Sequence, residues 1–495
     1  MKARLIRFLF ALHRWSGVVL GLLMLLWCLS GFVMIWSPYP STTLGTHDYR
    51  AEGLAPIRLP ADIKLPDIPA QARLSSLRME MLADRPVISL AWNGESRGDN
   101  GRGLFDLSTG ETVTKISKDE ALNVARTYAQ RIGISGQPAI KMLADKPDEF
   151  TVGMRGGSLW QAKLNDAEDT TLYISEANGQ VRQRTTASLR FWTWLGAIPH
   201  WLYFTELRKD GKLWGQVIIW TSLAGAFLTV LGLFVGLRQL RRRHSTGKLA
   251  SPYRGSKFWH HMIGLVFGIL VLTWVFSGFT SMQPWGWLES GPEAGKAVDR
   301  LTGEPPTWDQ AKPTIEMQAA ALRGSSAEVT QVSLSQLTTG SGFMWRFADG
   351  TRKRVGAAGE PAFFDGAAQK RAASLLAGDG AAYRMDLMTA GDAYYYPGAA
   401  ASDFPVLRIT VPSQNDTRFY LDPDSGDVRF VADPGARDFR WWHLLPHRLD
   451  VMGSPLREIV EMLLLAGVTA VCGLGAWIGI KKLARGGKLD NLPTE

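Results

Sequence analysis

Apolar residues are not spread evenly along this chain. They gather in four runs almost free of charge, at residues 12–36, 214–237, 258–282 and 456–480, with long polar stretches between them. A bilayer core about 30 Å thick needs about twenty apolar residues in helix, so each run predicts a membrane-spanning helix. In the fourth run Glu458 and Glu461 lie near one end. The polar stretches carry a different pattern. Residues 104–111 read as strand, turn, strand. Residues 117–131 read as an amphipathic helix opened by a capping box, Ser117 with Glu120 three positions on. Residues 172–174 and 180–181 flank an Asn178-Gly179 turn and predict a hairpin. Residues 419–421 and 427–430, around 422–426, predict another.

Composition conceals this patterning. Over 495 residues the hydrophobic fraction is 46% and the charged fraction 20%, which resembles a soluble protein. Nineteen Trp and twenty-one Phe exclude a disordered chain. The only two cysteines, Cys28 and Cys472, both lie in apolar runs, which excludes a disulfide scaffold. No C-x-x-C-H is present to attach a c-type haem.

The net charge of +9 could suggest nucleic acid, but its placement excludes that partner. Lys2, Arg4 and Arg7 precede the first run and Arg14 lies at its start. Arg238, Arg241, Arg242, Arg243 and Lys248 follow the second, and Lys481, Lys482, Arg485 and Lys488 end the fourth. Positive charge of this kind marks the cytoplasmic side. Both termini are therefore expected inside and the two long segments outside. The first run is too long for a signal peptide, and the sequence from Trp36 to Pro40 offers no A-x-A site, so an uncleaved anchor is expected.

Shifted by 247 residues, the sequence matches itself. His13 falls on His260, Gly17 on Gly264, Gly21 on Gly268 and Trp27 on Trp274. Ser30-Gly31-Phe32 falls on Ser277-Gly278-Phe279. Tyr173 meets Tyr420, Arg190 meets Arg437, Trp194 meets Trp441, and Pro199-His200 meets Pro446-His447. After a gap of about four residues, Gly232 and Gly236 meet Gly475 and Gly479. Each half reads helix, outside domain, helix, in the same orientation. The expected architecture is a parallel repeat about an axis along the membrane normal. Gly17, Gly21, Gly264 and Gly268 would let its helices approach closely.

Four of the eight histidines are related by the shift. About a twofold axis His13 would face His260 near the inner side, and His200 would face His447 near the outer side. Two imidazole pairs, one towards each face, are what two b-type haems with bis-histidine ligation require. No carboxylate or thiol stands at ligand spacing beside these histidines, which disfavours another metal. The competing reading of each histidine alone is an interfacial anchor; retention of both pairs across the halves favours ligation. His443 offers either a partner for a ligand or an alternative ligand. His261 matches Arg14, so that position asks only for a basic or polar group, and His244 and His47 lie in polar surroundings. Arg14, Arg190 and Arg437 are the candidate partners for haem propionates. The aromatics after Arg190 and Arg437 read as an interfacial belt or as walls of a haem site.

His13-Arg14-Trp15-Ser16-Gly17, followed by Trp27-Cys28-Leu29-Ser30-Gly31, resembles the first helix of the PepSY-associated transmembrane proteins, also called PiuB-like iron-regulated membrane proteins. The turns Ser108-Thr109-Gly110-Glu111 and Asp424-Ser425-Gly426-Asp427 resemble those of PepSY units. The resemblance implies a bacterial inner-membrane protein linked to iron supply. Some members are similar to ferric-siderophore reductases that carry two b haems. His13, His200, His260 and His447 are the matching positions here. The lengths that follow His200 and His447 before the next helix differ, which departs from strict equivalence.

The expected fold is therefore a membrane α-helical protein with four transmembrane helices in two parallel repeats, each enclosing a periplasmic PepSY-like α+β domain. The first helix and its basic start take 1–37, and the first periplasmic domain 38–189. An interfacial segment and the second helix take 190–240, a cytoplasmic loop 241–257, and the third helix 258–283. The second domain takes 284–436, an interfacial segment with the fourth helix 437–482, and the cytoplasmic tail 483–495. The expected function is electron transfer through two b haems to a periplasmic ferric chelate such as a ferric siderophore. No dinucleotide or flavin fingerprint is present, so electrons would come from quinol or a cytoplasmic reductase. One alternative is a membrane-anchored peptide- or protease-binding or regulatory protein without redox activity. Another, a permease, is disfavoured because no span carries Asp or Glu near its centre.

Overall fold

A computed structural model of the chain describes residues 2–37, 39–40, 55–94, 100–143, 148–151, 157–242, 249–338, 342–396 and 404–484. His47, Arg243, His244, Lys248, Arg485 and Lys488 lie outside these residues, as does Pro38. The chain divides into two compact units.

The first unit joins Met1–Tyr39, Ser188–Glu289 and Asp438–Glu495. Among the described residues, four helices are long and apolar enough to cross a membrane. Span 1 is Lys2–Met34, span 2 Gly211–Gln239, span 3 Gly255–Thr280 and span 4 Leu456–Ala484. All four apolar runs are thus helical. Span 1 starts ten residues before its apolar run because Lys2, Arg4 and Arg7 are good helix formers and nothing breaks the helix there. Span 2 opens on Asp210, whose carboxylate accepts from Lys212 N and Leu213 N. Span 1 packs on span 4, span 4 on span 3, span 3 on span 2, and span 2 on span 1. Met24, Cys28, Leu228, Val271, Leu465, Val468 and Cys472 fill the middle. The Cys28 thiol donates to the Cys472 sulfur at 4.0 Å, and the two form no disulfide. Gly21 brings span 1 close to span 4, where a side chain would sit 3.8 Å from the Ala476 backbone.

The second unit joins Pro40–Ala187 and Ser290–Arg437. From the first segment come β1 (Arg73–Leu82), β2 (Arg85–Asn93), β3 (Gly101–Asp106), a helix Lys118–Arg131, β4 (Ala139–Leu143), β5 (Leu159–Lys163), β6 (Thr171–Ser175) and β7 (Val181–Thr185). A two-residue ribbon, β8 (Arg241–Arg242) and β9 (Leu249–Ala250), belongs to the loop between spans 2 and 3. From the second segment come β10 (Val329–Ser335), β11 (Gly342–Phe347), β12 (Arg352–Val355), a helix Gly366–Ala377, β13 (Arg384–Met388), β14 (Val406–Val411), β15 (Thr417–Leu421) and β16 (Val428–Ala432). The capping box of Ser117 and Glu120 is formed, and both expected hairpins are present as β6–β7 and β15–β16.

Each segment builds a four-stranded antiparallel meander, β4-β5-β6-β7 or β13-β14-β15-β16. The helix Lys118–Arg131 buries Val124, Ala125 and Tyr128 against the first. The helix Gly366–Ala377 buries Ala372, Ala373 and Leu376 against the second. The remaining six strands form one sheet in the order β12-β11-β10-β1-β2-β3. Its centre is the antiparallel pairing of β1 with β10, Met79 opposite Val332. The two segments are therefore laced together by main-chain hydrogen bonds. Two further helices, Pro292–Thr302 and Trp308–Gly324, precede β10. The described residues before β1, from 55 to 72, carry no helix.

Candidate functional site

The membrane unit brings the four matched histidines together in two pairs. His13 on span 1 and His260 on span 3 have ring centres 6.4 Å apart, tilted by 30°. His260 Nδ1 donates to the Val471 carbonyl of span 4 at 3.1 Å. The His13 imidazole turns towards the Leu228 carbonyl of span 2, while its Nδ1 makes no hydrogen bond of full geometry. A helical carbonyl is directed at the residue four positions on. That residue is Gly232 after Leu228 and Gly475 after Val471. A Cβ at Gly232 would lie 2.7 Å from His13 Cε1, and one at Gly475 would lie 3.0 Å from His260 Cε1. Each glycine bares the carbonyl and seats the imidazole.

The second pair is His200 on the short helix Ala197–Trp201 and His447 on the short helix Leu445–Arg448. Their ring centres are 6.1 Å apart, at 65°. His200 Nδ1 lies 3.2 Å from the Trp27 carbonyl and 3.2 Å from Ser30 Oγ. His447 Nδ1 lies 2.9 Å from Ser277 Oγ. Both short helices stop two residues later at a leucine in the left-handed region, Leu202 with φ 51° and Leu449 with φ 47°. That conformation costs a leucine about 1–2 kcal/mol, and it recurs at matched positions. Burial pushes the His200 imidazole down to about 4 and that of His447 to about 3, so both are neutral bases at physiological pH.

The other histidines are occupied differently. His261 uses both ring nitrogens, on Ser251 Oγ at 2.7 Å and the Gly236 carbonyl at 2.8 Å, and has no lone pair to offer a metal. His443 Nδ1 donates to the Ser277 carbonyl at 2.7 Å, and its ring centre is 5.4 Å from that of His447. Arg14 and Arg190 are half-buried members of the membrane unit. Arg437 sits in the other unit, where its guanidinium donates to the Asp416 and Asn415 carbonyls at 2.8 and 2.6 Å. These bonds close the β14–β15 turn.

Among the described residues no three of His, Cys, Asp and Glu converge. Each pair thus offers two imidazole donors and nothing more. Ser30, Ser277, Gly232 and Gly475 are matched positions in the sequence, which by itself assigns them no role. The buried ion pair of Arg440 with Asp450, 2.8 Å, had no sequence signal.

The profile of the PepSY-associated TM region matches residues 10–482. The chain belongs to that family. No curated protein matches it. In this PepSY-associated protein the matched region holds both histidine pairs, their glycine seats and all the strands of the second unit.

Proposed function

We propose that this membrane protein holds two b-type haems and passes electrons through the bilayer to a ferric chelate, acting as a ferric-siderophore reductase. The observation that carries the reading is the geometry of the imidazole pairs. Two imidazoles that would share one metal through Nε2, with bonds of about 2 Å and ring centres about 1 Å beyond, reach a separation of up to roughly 6 Å. The pairs here stand 6.4 and 6.1 Å apart. A tetrahedral ion takes three or four protein donors, whereas a haem would ask only two imidazoles of the chain. In three of the four histidines Nδ1 is hydrogen-bonded to a carbonyl or hydroxyl, and the fourth ring, His13, lies beside the Leu228 carbonyl. That leaves each Nε2 as the ligating nitrogen.

When bound, the haems would supply one-electron exchange between Fe(III) and Fe(II). The chain's own residues would fix everything else. His13 and His260 would hold the haem on the cytoplasmic side, near the entry from quinol or a cytoplasmic reductase. His200 and His447 would hold the haem on the periplasmic side. Arg14, Arg190 and Arg437 are the candidate partners for the propionates. One electron delivered outward reduces the chelated Fe(III) to Fe(II), which hard oxygen ligands hold less tightly. This reading places the protein in a bacterial inner membrane, with both termini in the cytoplasm and the two β-rich segments outside. It also arranges the halves as a parallel repeat about an axis along the membrane normal.

The test is a reduced-minus-oxidised spectrum of the purified chain with pyridine haemochrome quantitation. Two b haems per chain support the reading. A colourless protein from haem-sufficient cells overturns it and turns attention to peptide binding by the second unit.

A further inference from the structure

Ser30 and Ser277 are among the most deeply buried hydroxyls of the membrane unit, at 1% and 0% exposure. Each occupies the same place relative to the second histidine pair. Ser277 Oγ donates to the Trp274 carbonyl at 2.8 Å. Ser30 Oγ lies 2.8 Å from the Leu26 carbonyl and 3.1 Å from that of Trp27. A hydroxyl has one proton and two lone pairs. With the proton committed to a carbonyl of its own helix, each Oγ can only accept from the imidazole beside it. The contacts of 3.2 Å to His200 Nδ1 and 2.9 Å to His447 Nδ1 therefore place the proton on Nδ1. The first pair lacks this device and leans on the carbonyls of Val471 and Leu228 alone.

We infer that Ser30 and Ser277 are positioning residues that fix the tautomer and raise the basicity of the His200 and His447 ligands. This rests on the haem reading above. Each serine polarises Nδ1–H, so Nε2 donates more strongly and favours the ferric state of the second-pair haem. The first pair has no hydroxyl at this place; His260 Nδ1 has the Val471 carbonyl instead. The bland alternative is the ordinary bond of a buried serine to its own helix, made without regard to any ligand.

The experiment uses the full chain in detergent and compares Ser30→Ala, Ser277→Ala and the double variant with Ser30→Thr and Ser277→Thr, which keep the hydroxyl. The readouts are haem dissociation and separate midpoint potentials for the two haems. In the alanine variants the second-pair haem should leave about tenfold faster, the usual loss for removing a partner of a metal-bound histidine. Its potential should rise while that of the first-pair haem stays put, and the threonine variants should behave as wild type. Single variants keep the test usable where the double variant fails to fold. A two-haem wild type whose alanine variants keep both values overturns the inference and leaves the haem reading standing. Equal shifts at both haems also overturn it, as general loosening. A colourless wild type overturns the haem reading and this inference together.

Discussion

Residues before and after the middle of this chain do the same things with the same parts where chemistry is concerned, and diverge around them. Ser30 with His200 is repeated by Ser277 with His447. Gly232 under His13 is repeated by Gly475 under His260. Leu202 and Leu449 take the same left-handed conformation. A buried tyrosine bonded to an aspartate appears in both meanders, Tyr173 with Asp148 at 2.9 Å and Tyr420 with Asp392 at 2.8 Å. The surroundings do not match. Asp392 also binds Arg408 at 2.8 Å and Arg418 at 3.2 Å, whereas Asp148 is held by Phe150 N and Thr151. Where the later half has the buried Arg440–Asp450 pair, the earlier half has Thr193, bonded to the Leu189 carbonyl, and Tyr203. The halves share the serine, glycine and leucine positions around the imidazoles and differ beside them, where His443 stands against His447 and Gly196 takes its place in the earlier half.

The largest test of that equivalence removes a ligand. His13→Ala and His260→Ala should each take haem content from two per chain to one, by pyridine haemochrome, with the same remaining spectrum. His200→Ala and His447→Ala should leave the complementary spectrum. Unequal losses within a pair would break the comparison. Next in size is the seat: Gly232→Ala and Gly475→Ala should each weaken only the first-pair haem, about tenfold in dissociation rate, because the added carbon meets the imidazole.

The meanders should separate the halves instead. Asp392→Asn should cost about 2–3 kcal/mol and Asp148→Asn about 1 kcal/mol, since the first loses charged hydrogen bonds, read as shifts in thermal unfolding. Burial acts to raise the Asp392 carboxyl, but the Tyr395 and Tyr394 amides, the Tyr420 hydroxyl and Arg408 outweigh it and hold it below the usual range. A depressed folded value stabilises above the unfolded value of about 3.9 and is lost as pH falls through the folded one. The gap between wild type and Asp392→Asn should accordingly close below about pH 4. Smallest of all, His443→Gly should leave both haems in place with less than about a twofold change in dissociation. Loss of a haem would instead make His443 a ligand.

Much of this could be read from residues in order. Charge-free runs long enough for a bilayer named the four spans, because lipid forces the backbone to bond within itself. Ser117 with Glu120 and the Asn178-Gly179 turn carry their geometry locally, so those elements stood where expected. The histidine pairs were legible because one shift aligned them, and the structure puts both pairs in contact. The six-stranded sheet was not legible. Met79 opposite Val332 is decided by tertiary packing, and no local pattern records a partner so distant. The helix Trp308–Gly324 has no counterpart among the described residues 61–77 of the earlier half, so the repeat gives no signal for it. The serines were visible as letters, but which way a hydroxyl proton points depends on the carbonyl and the imidazole that surround it.

The central strand pairing also sets a timetable. β10 follows its partner β1 by about 250 residues, and chains grow at roughly 5–20 residues per second. The inner edge of β1 therefore waits roughly 12–50 s for β10 to be made. An open edge of that length invites pairing with whatever strand comes first. Two nascent chains held side by side could join β1 to β1 before either has a β10. A slow stretch of synthesis between the halves would then raise the yield of misjoined dimers without altering a single residue of the finished protein.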